Sequence, residues 1–190
     1  ADAHPPVTEG ACDSCHAEAT SEKPFALNTP TPGLCFMCHE SIAAAAKMAH
    51  PHPPVVQGEC MACHAPHASA IPPLMKANPK DLCLTCHEGL RQRAAKAVSR
   101  HKPVMEGQCA TCHTPHGGAE KGFPKGKPLD LCLGCHKNKA ADHPVRNHPV
   151  SGKKNPMTGR EMSCLSCHDP HFSARPNLLL AVTCGDCHGK

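Results

Sequence analysis

The sequence predicts a loop-dominated chain of short α-helices, organised as four repeated modules with little or no β-sheet. Three observations predict this. Proline (21) and glycine (14) together are about 18% of the 190 residues, too many for long regular elements. Aromatic residues are only 2%, four Phe with no Trp or Tyr, so the large flat side chains that usually fill a core are nearly missing. Finally, all sixteen cysteines fall in one short pattern that recurs along the chain.

That pattern is C-x-x-C-H. It places Cys12, Cys15 and His16; Cys35, Cys38 and His39; Cys60, Cys63 and His64; and Cys83, Cys86 and His87. The second half repeats it with Cys109, Cys112 and His113; Cys132, Cys135 and His136; Cys164, Cys167 and His168; and Cys184, Cys187 and His188. On one helical turn positions i, i+3 and i+4 share a face, so two thiols and an imidazole can address one flat object together. Two covalent tethers and one axial ligand describe c-type haem attachment. A disulfide framework gives no reason for a histidine after every second cysteine. Tetrahedral zinc would draw its other ligands from a second cysteine pair, and iron-sulfur clusters need four cysteines and no histidine. Asp81 and Asp130, two residues before their motifs, are expected N-caps for such turns.

The first cysteines are separated by 23, 25, 23, 26, 23, 32 and 20 residues, so the repeating unit is a pair of motifs. The expected modules are roughly 1–48, 49–97, 98–140 and 141–190, together one unit spanning the chain. Flanking residues set the register. His4, His52 and His101 each stand eight residues before a first cysteine, and His148-Pro-Val opens the fourth module ahead of an insertion. After the first motif, C-H-x-P-H adds His67, His116 and His171, where the first module reads Cys15-His16-Ala17-Glu18-Ala19. Between motifs, Glu40–Ala49 and Glu88–Val98 are good helix formers, each leading into a Pro-rich, His-bearing segment that should not continue the helix.

These doubled repeats resemble the multihaem c-type cytochromes over the whole chain. The resemblance implies haems stacked into a row, bis-histidine irons, and small electron carriers working outside the energy-transducing membrane. Eight covalently bound haem c groups are therefore expected, with the eight motif histidines as proximal ligands. Nine histidines remain: His4, His50, His52, His67, His101, His116, His143, His148 and His171. Repeat position nominates seven of them as distal ligands. The eighth is expected to compensate for the histidine missing from the first module, with His50, the nearer in sequence, preferred to His143. No methionine recurs at one repeat position, so the Met residues read as gap-filling apolar groups.

With about 24 residues per haem, the polypeptide cannot wrap each porphyrin, and thioethers and irons must serve as staples. Haem propionates would turn the formal +4 into about −4 oxidised and about −12 reduced, so reduction should grow harder as electrons accumulate. Lys and Arg are scattered without interleaved aromatics, which disfavours nucleic acid. No apolar run approaches the roughly 20 residues of a membrane helix. The chain opens Ala1-Asp2-Ala3 without the regions of a secretory signal, which is expected to have been left out or removed, with the protein exported to the periplasm or cell exterior. The expected function is electron carriage between redox proteins or extracellular acceptors rather than catalysis. Two alternatives are a subunit of an extracellular cytochrome filament, with His4 or a spare histidine ligating a neighbour, and a multihaem reductase with an open iron.

Overall fold

The computed structural model describes residues 2–20, 22–145, 149–155 and 158–180. The last motif (Cys184, Cys187, His188) and His148 lie outside the described residues. As the composition requires, the described residues are mostly loop, with helices of three to nine residues and strands of two. No helix among the described residues is long and apolar enough to cross a membrane.

Contacts divide the chain into two units. One comprises Ala1–Leu82 with His113–Phe123, the other Cys83–Cys112 with Pro124–Lys190. In the first, strand Asp2–Ala3 pairs antiparallel with Ala68–Ser69, and His50–Pro51 with Gly117–Gly118. In the second, Ser99–Arg100 pairs with Phe172–Ser173. The three ladders are repeats of one another. Each joins the residues just before the eight-upstream histidine of one module to those just after the C-H-x-P-H histidine of the next.

Helices appear in more places than between the motifs. Glu40–Ala45 and Glu88–Lys96 form where expected, each ending short of the predicted boundary. The Pro-rich segments, expected to break helices, instead start new single turns at Pro5–Thr8, Pro53–Val56 and Lys102–Met105. Proline is tolerated there because it falls at the first or second helical position, where its missing N–H is not needed. Pro79–Cys86 and Pro128–Leu133 begin the same way. Asp81 and Asp130 are therefore inside the first turn rather than at the N-cap, where their charge still complements the helix dipole.

Each single turn ends in a glycine with positive φ: Gly10 (70°), Gly58 (77°) and Gly107 (75°). The residue after it donates back to the turn, Ala11 to Pro6 (2.8 Å), Glu59 to Pro54 (2.8 Å) and Gln108 to Pro103 (2.9 Å), which closes the helix end. Gly58 is doubly required, since a Cβ there would lie 2.6 Å from the Thr31 carbonyl carbon and oxygen. Gly58→Ala is therefore expected to lower the denaturant midpoint of the haem-loaded protein by the equivalent of about 2 kcal/mol or more. Gly10→Ala, with open space around it, should cost about 1 kcal/mol. Equal midpoints for the two variants would refute the steric argument.

The polypeptide builds almost no core. Among the described residues only Met162 and Phe172 are buried apolar side chains, while Phe25 is 82% exposed and Met37 70%.

Candidate functional site

Six motifs among the described residues form the expected turn. The histidine N–H donates to the carbonyl of the first cysteine in His16–Cys12 (2.9 Å), His39–Cys35 (2.9 Å), His64–Cys60 (3.0 Å), His87–Cys83 (3.0 Å), His136–Cys132 (2.9 Å) and His168–Cys164 (2.9 Å). These i to i+4 bonds put both thiols and the imidazole on one face.

A loop of fixed length follows the first motif of every module. Its neck is closed by N–H to carbonyl bonds from Ala17 to Ala26 (3.0 Å), Ala65 to Leu74 (2.8 Å), Thr114 to Phe123 (2.8 Å) and Asp169 to Leu178 (2.8 Å). Two residues on, the chain returns to the motif: Asn28, Lys76, Lys125 and Leu180 donate to the carbonyls of Cys15, Cys63, Cys112 and Cys167 at 2.8–3.0 Å. This loop holds the motif imidazole. Nδ1 of His64 lies 3.1 Å from the Pro73 carbonyl, that of His113 2.6 Å from Gly122, and that of His168 2.9 Å from Asn177. A carbonyl can only accept, so each Nδ1 carries the proton and Nε2 is left with the lone pair that binds a metal.

The residue after each accepting carbonyl is left-handed although it is not glycine: Leu74 (φ 55°), Phe123 (56°) and Leu178 (58°). Such a conformation costs on the order of 1–3 kcal/mol. Its recurrence at one repeat position ties the strain to orienting the imidazole.

The non-motif histidines are placed by the ladders. The N–H of His4 donates to the carbonyl of His67 (2.9 Å), that of His52 to His116 (3.2 Å), and that of His101 to His171 (3.0 Å). Their rings then meet motif rings. His4 faces His39 with centroids 5.9 Å apart, His16 faces His67 at 5.9 Å, His64 faces His116 at 6.2 Å, and His101 faces His136 at 6.2 Å. Each pair is one motif histidine and one non-motif histidine. Rings in van der Waals stacking would be about 3.5–4 Å apart. Two imidazoles bound through Nε2 to one metal, with metal–nitrogen bonds of about 2 Å, have centroids about 6 Å apart. The donor set and the spacing fit a bis-histidine haem iron.

Electrostatics agrees with neutral ligands. Burial, and then the neighbouring imidazoles of His64, His52 and His39, push His116 below the usual histidine range. His101 directs its Nδ1 at the Pro170 carbonyl, 2.9 Å away, as the motif histidines do at their own carbonyls. His171 has a carboxylate neighbour: Asp169 Oδ1 is 3.8 Å from its Nδ1 and accepts the N–H of His171 (2.9 Å) and of Phe172 (3.3 Å). Asp169 also pairs with Arg93. Burial opposes its ionisation, yet the His171 N–H, Arg93 and the Phe172 N–H together hold it below the usual carboxylate range.

The thiols of successive modules lie together. Those of Cys35 and Cys60, of Cys83 and Cys109, and of Cys132 and Cys164 share hydrogen bonds. Before haem attachment, burial and then the Cys60 thiol push Cys35 up to about 11, and burial and then Cys164 push Cys132 up to about 11. The Cys83 hydrogen bond outweighs burial at Cys109 and brings it down to about 6.

Two histidines hold none of the repeat positions named above. His50 is exposed, in the ladder position that Asp2 and Ser99 occupy in the equivalent ladders. His143 is half-buried, and its Nδ1 accepts the Val145 N–H at 3.3 Å. In the first module both motif imidazoles, His16 and His39, already face a second imidazole. The orienting carbonyls were absent from the sequence reading; the evenly spaced apolar residues Ala26, Leu74, Phe123 and Leu178, ten after each first-motif histidine, were the available signal.

Paired cysteines on one turn, an oriented imidazole beside them and a second imidazole across a metal-sized gap define a multihaem c-type cytochrome, a protein of electron transfer with covalently bound haem c. The chain belongs to the doubled CXXCH motif family, whose model matches residues 4–44, 52–92, 101–141 and 155–190. No curated protein matches the chain.

Proposed function

We propose that the chain carries eight haem c groups and conducts electrons through bis-histidine irons, between redox proteins or to an extracellular acceptor, in the periplasm or at the cell exterior. The observation that carries this reading is the set of four imidazole pairs at 5.9–6.2 Å. Haem iron supplies reversible one-electron chemistry, and the chain determines how it is held. The sixteen cysteines tether, the motif histidines ligate one face, and His67 and His4 complete the sites of His16 and His39. His116 and His101 do the same for His64 and His136. By repeat position His52, His148 and His171 serve as distal ligands in the same way. Of the two remaining histidines, one, His50 or His143, supplies the eighth.

Imidazole on both faces keeps the coordination nearly unchanged between redox states, which suits electron transfer and leaves no position for a substrate. The test is direct. The purified protein should have the mass of the chain plus eight haems, show sharp ferrous bands on reduction, and bind no carbon monoxide. The bare chain mass would overturn the proposal; carbon monoxide binding to the native protein would favour a reductase.

Asp169 should bias one site. A carboxylate beside a ligating imidazole strengthens it as a donor to ferric iron, so Asp169→Asn is expected to raise one midpoint potential by tens of millivolts, on the order of a tenfold change in equilibrium constant. Loss of the charge that balances Arg93 acts in the same direction. Redox titration showing eight unchanged potentials would sink this assignment.

A further inference from the structure

We infer that the loop after each first motif tunes its haem through one backbone carbonyl, and that the first module lacks this carbonyl, which makes the haem of His16 the easiest of the four first-motif haems to reduce. The inference rests on the proposed haem loading and deepens it, since ligand type alone would make these four sites alike.

The four loops close at the same positions. Besides the neck bonds described above, His16 bridges to Leu27, His64 to Met75 and His168 to Leu179, each eleven residues on. The first loop even has an extra tie, from the Asn28 side-chain amide to the Asp13 carbonyl (2.6 Å). Its interior differs. Nine residues after the motif histidine stand Pro73, Gly122 and Asn177, whose carbonyls receive the Nδ1–H of His64, His113 and His168 at 3.1, 2.6 and 2.9 Å. Phe25 holds that position in the first module. In the other three loops the next residue is left-handed, which sets the peptide plane carrying the accepting carbonyl; neither Phe25 nor Ala26 is left-handed. Among the described residues no carbonyl takes the His16 Nδ1–H, although its ring still faces that of His67 at 5.9 Å. The sequence shows how the position changed hands. In Glu120-Lys121-Gly122-Phe123 the glycine falls nine residues after His113, whereas Glu22-Lys23-Pro24-Phe25 runs one residue earlier and puts the phenylalanine there.

An imidazole whose Nδ1–H is held by a carbonyl is a more basic ligand and favours ferric iron. Without that bond His16 is the weaker donor, and its iron takes an electron more readily, by about tenfold in equilibrium constant or about 59 mV. With one electron shared among these four irons at equilibrium, the three carbonyl-held sites stay ferric and that of His16 becomes ferrous, and no proton moves. The carboxylates of Asp13 and Glu18 oppose this, but both residues are exposed and solvent screens them.

Nitrogen-15-edited proton NMR of the haem-loaded protein tests this in two readouts. In the reduced protein placed in deuterated buffer, the His16 Nδ1–H should exchange about tenfold faster than those of His64, His113 and His168. In a titration resolved haem by haem, the His16 haem should be reduced first of the four. The double variant Phe25→Gly with Ala26→Phe restores the Gly-Phe of the third loop, and should slow His16 exchange and make that haem about tenfold harder to reduce while the other three stay unchanged. Equal exchange rates for the four native imidazoles would overturn the inference, as would a His16 haem reduced after any of the other three. Fewer than eight haems by mass would instead overturn the functional reading on which it rests.

Discussion

Chain made without haem attachment is expected to show no cooperative unfolding transition and little helical circular dichroism. Two buried apolar side chains among the described residues, Met162 and Phe172, cannot offset a backbone ordering cost of about 1–2 kcal/mol per residue. The longest helix among the described residues, Glu88–Lys96, has nine residues, below the roughly 12–15 at which isolated helices become marginal. Two-residue strands add little. The missing cohesion has to come from porphyrins, which would also account for the near absence of aromatic side chains. A sharp thermal transition in the unattached chain, with a far-UV spectrum like that of the loaded protein, would refute this account.

Much of the architecture is legible in the sequence because it is covalent and periodic. The sixteen cysteines, their histidines and the paired register state the haem-binding plan directly, and the helix at Glu88–Lys96 follows from its composition. The partner of each histidine is not legible. Sequence proximity suggested that the first module, lacking a C-H-x-P-H histidine, needed a substitute such as His50. The structure instead brings His67 of the second module to His16 of the first, and His116 of the third to His64 of the second. This displacement by one module is set by two-residue ladders, too short to show any alternation of apolar and polar residues. The orienting loop is hidden for a different reason. The left-handed residue after each accepting carbonyl is Leu74, Phe123 or Leu178, none of which signals that conformation, although the accepting residues Gly122 and Asn177 are themselves left-handed and do carry the Gly and Asn signal.

Replacing His116 by alanine should turn one haem in eight high-spin. The His116 ring stands 6.2 Å from that of His64, and its own strand neighbours Gly117 and Gly118 are locked onto Pro51 and His50. A Cβ on Gly117 would lie 2.6 Å from the Ala45 carbonyl oxygen, so the ladder has no slack through which a replacement ligand could shift in. Cys60, Cys63 and His64 are untouched, and the haem should stay attached, with eight still counted by mass. The ferric spectrum should then gain a high-spin signal of about one-eighth of the total iron, and the reduced protein should bind about one carbon monoxide. His116→Met should remain six-coordinate and low-spin while raising one midpoint potential, because thioether sulfur is a weaker donor to ferric iron than imidazole. His50→Ala should leave the spin state unchanged if His143 is the eighth ligand; a high-spin haem in that variant instead assigns the role to His50. A His116→Ala protein that stays wholly low-spin and inert to carbon monoxide would show that the His64 iron takes its sixth ligand elsewhere, and the pairing of modules through their ladders would lose its chemical purpose.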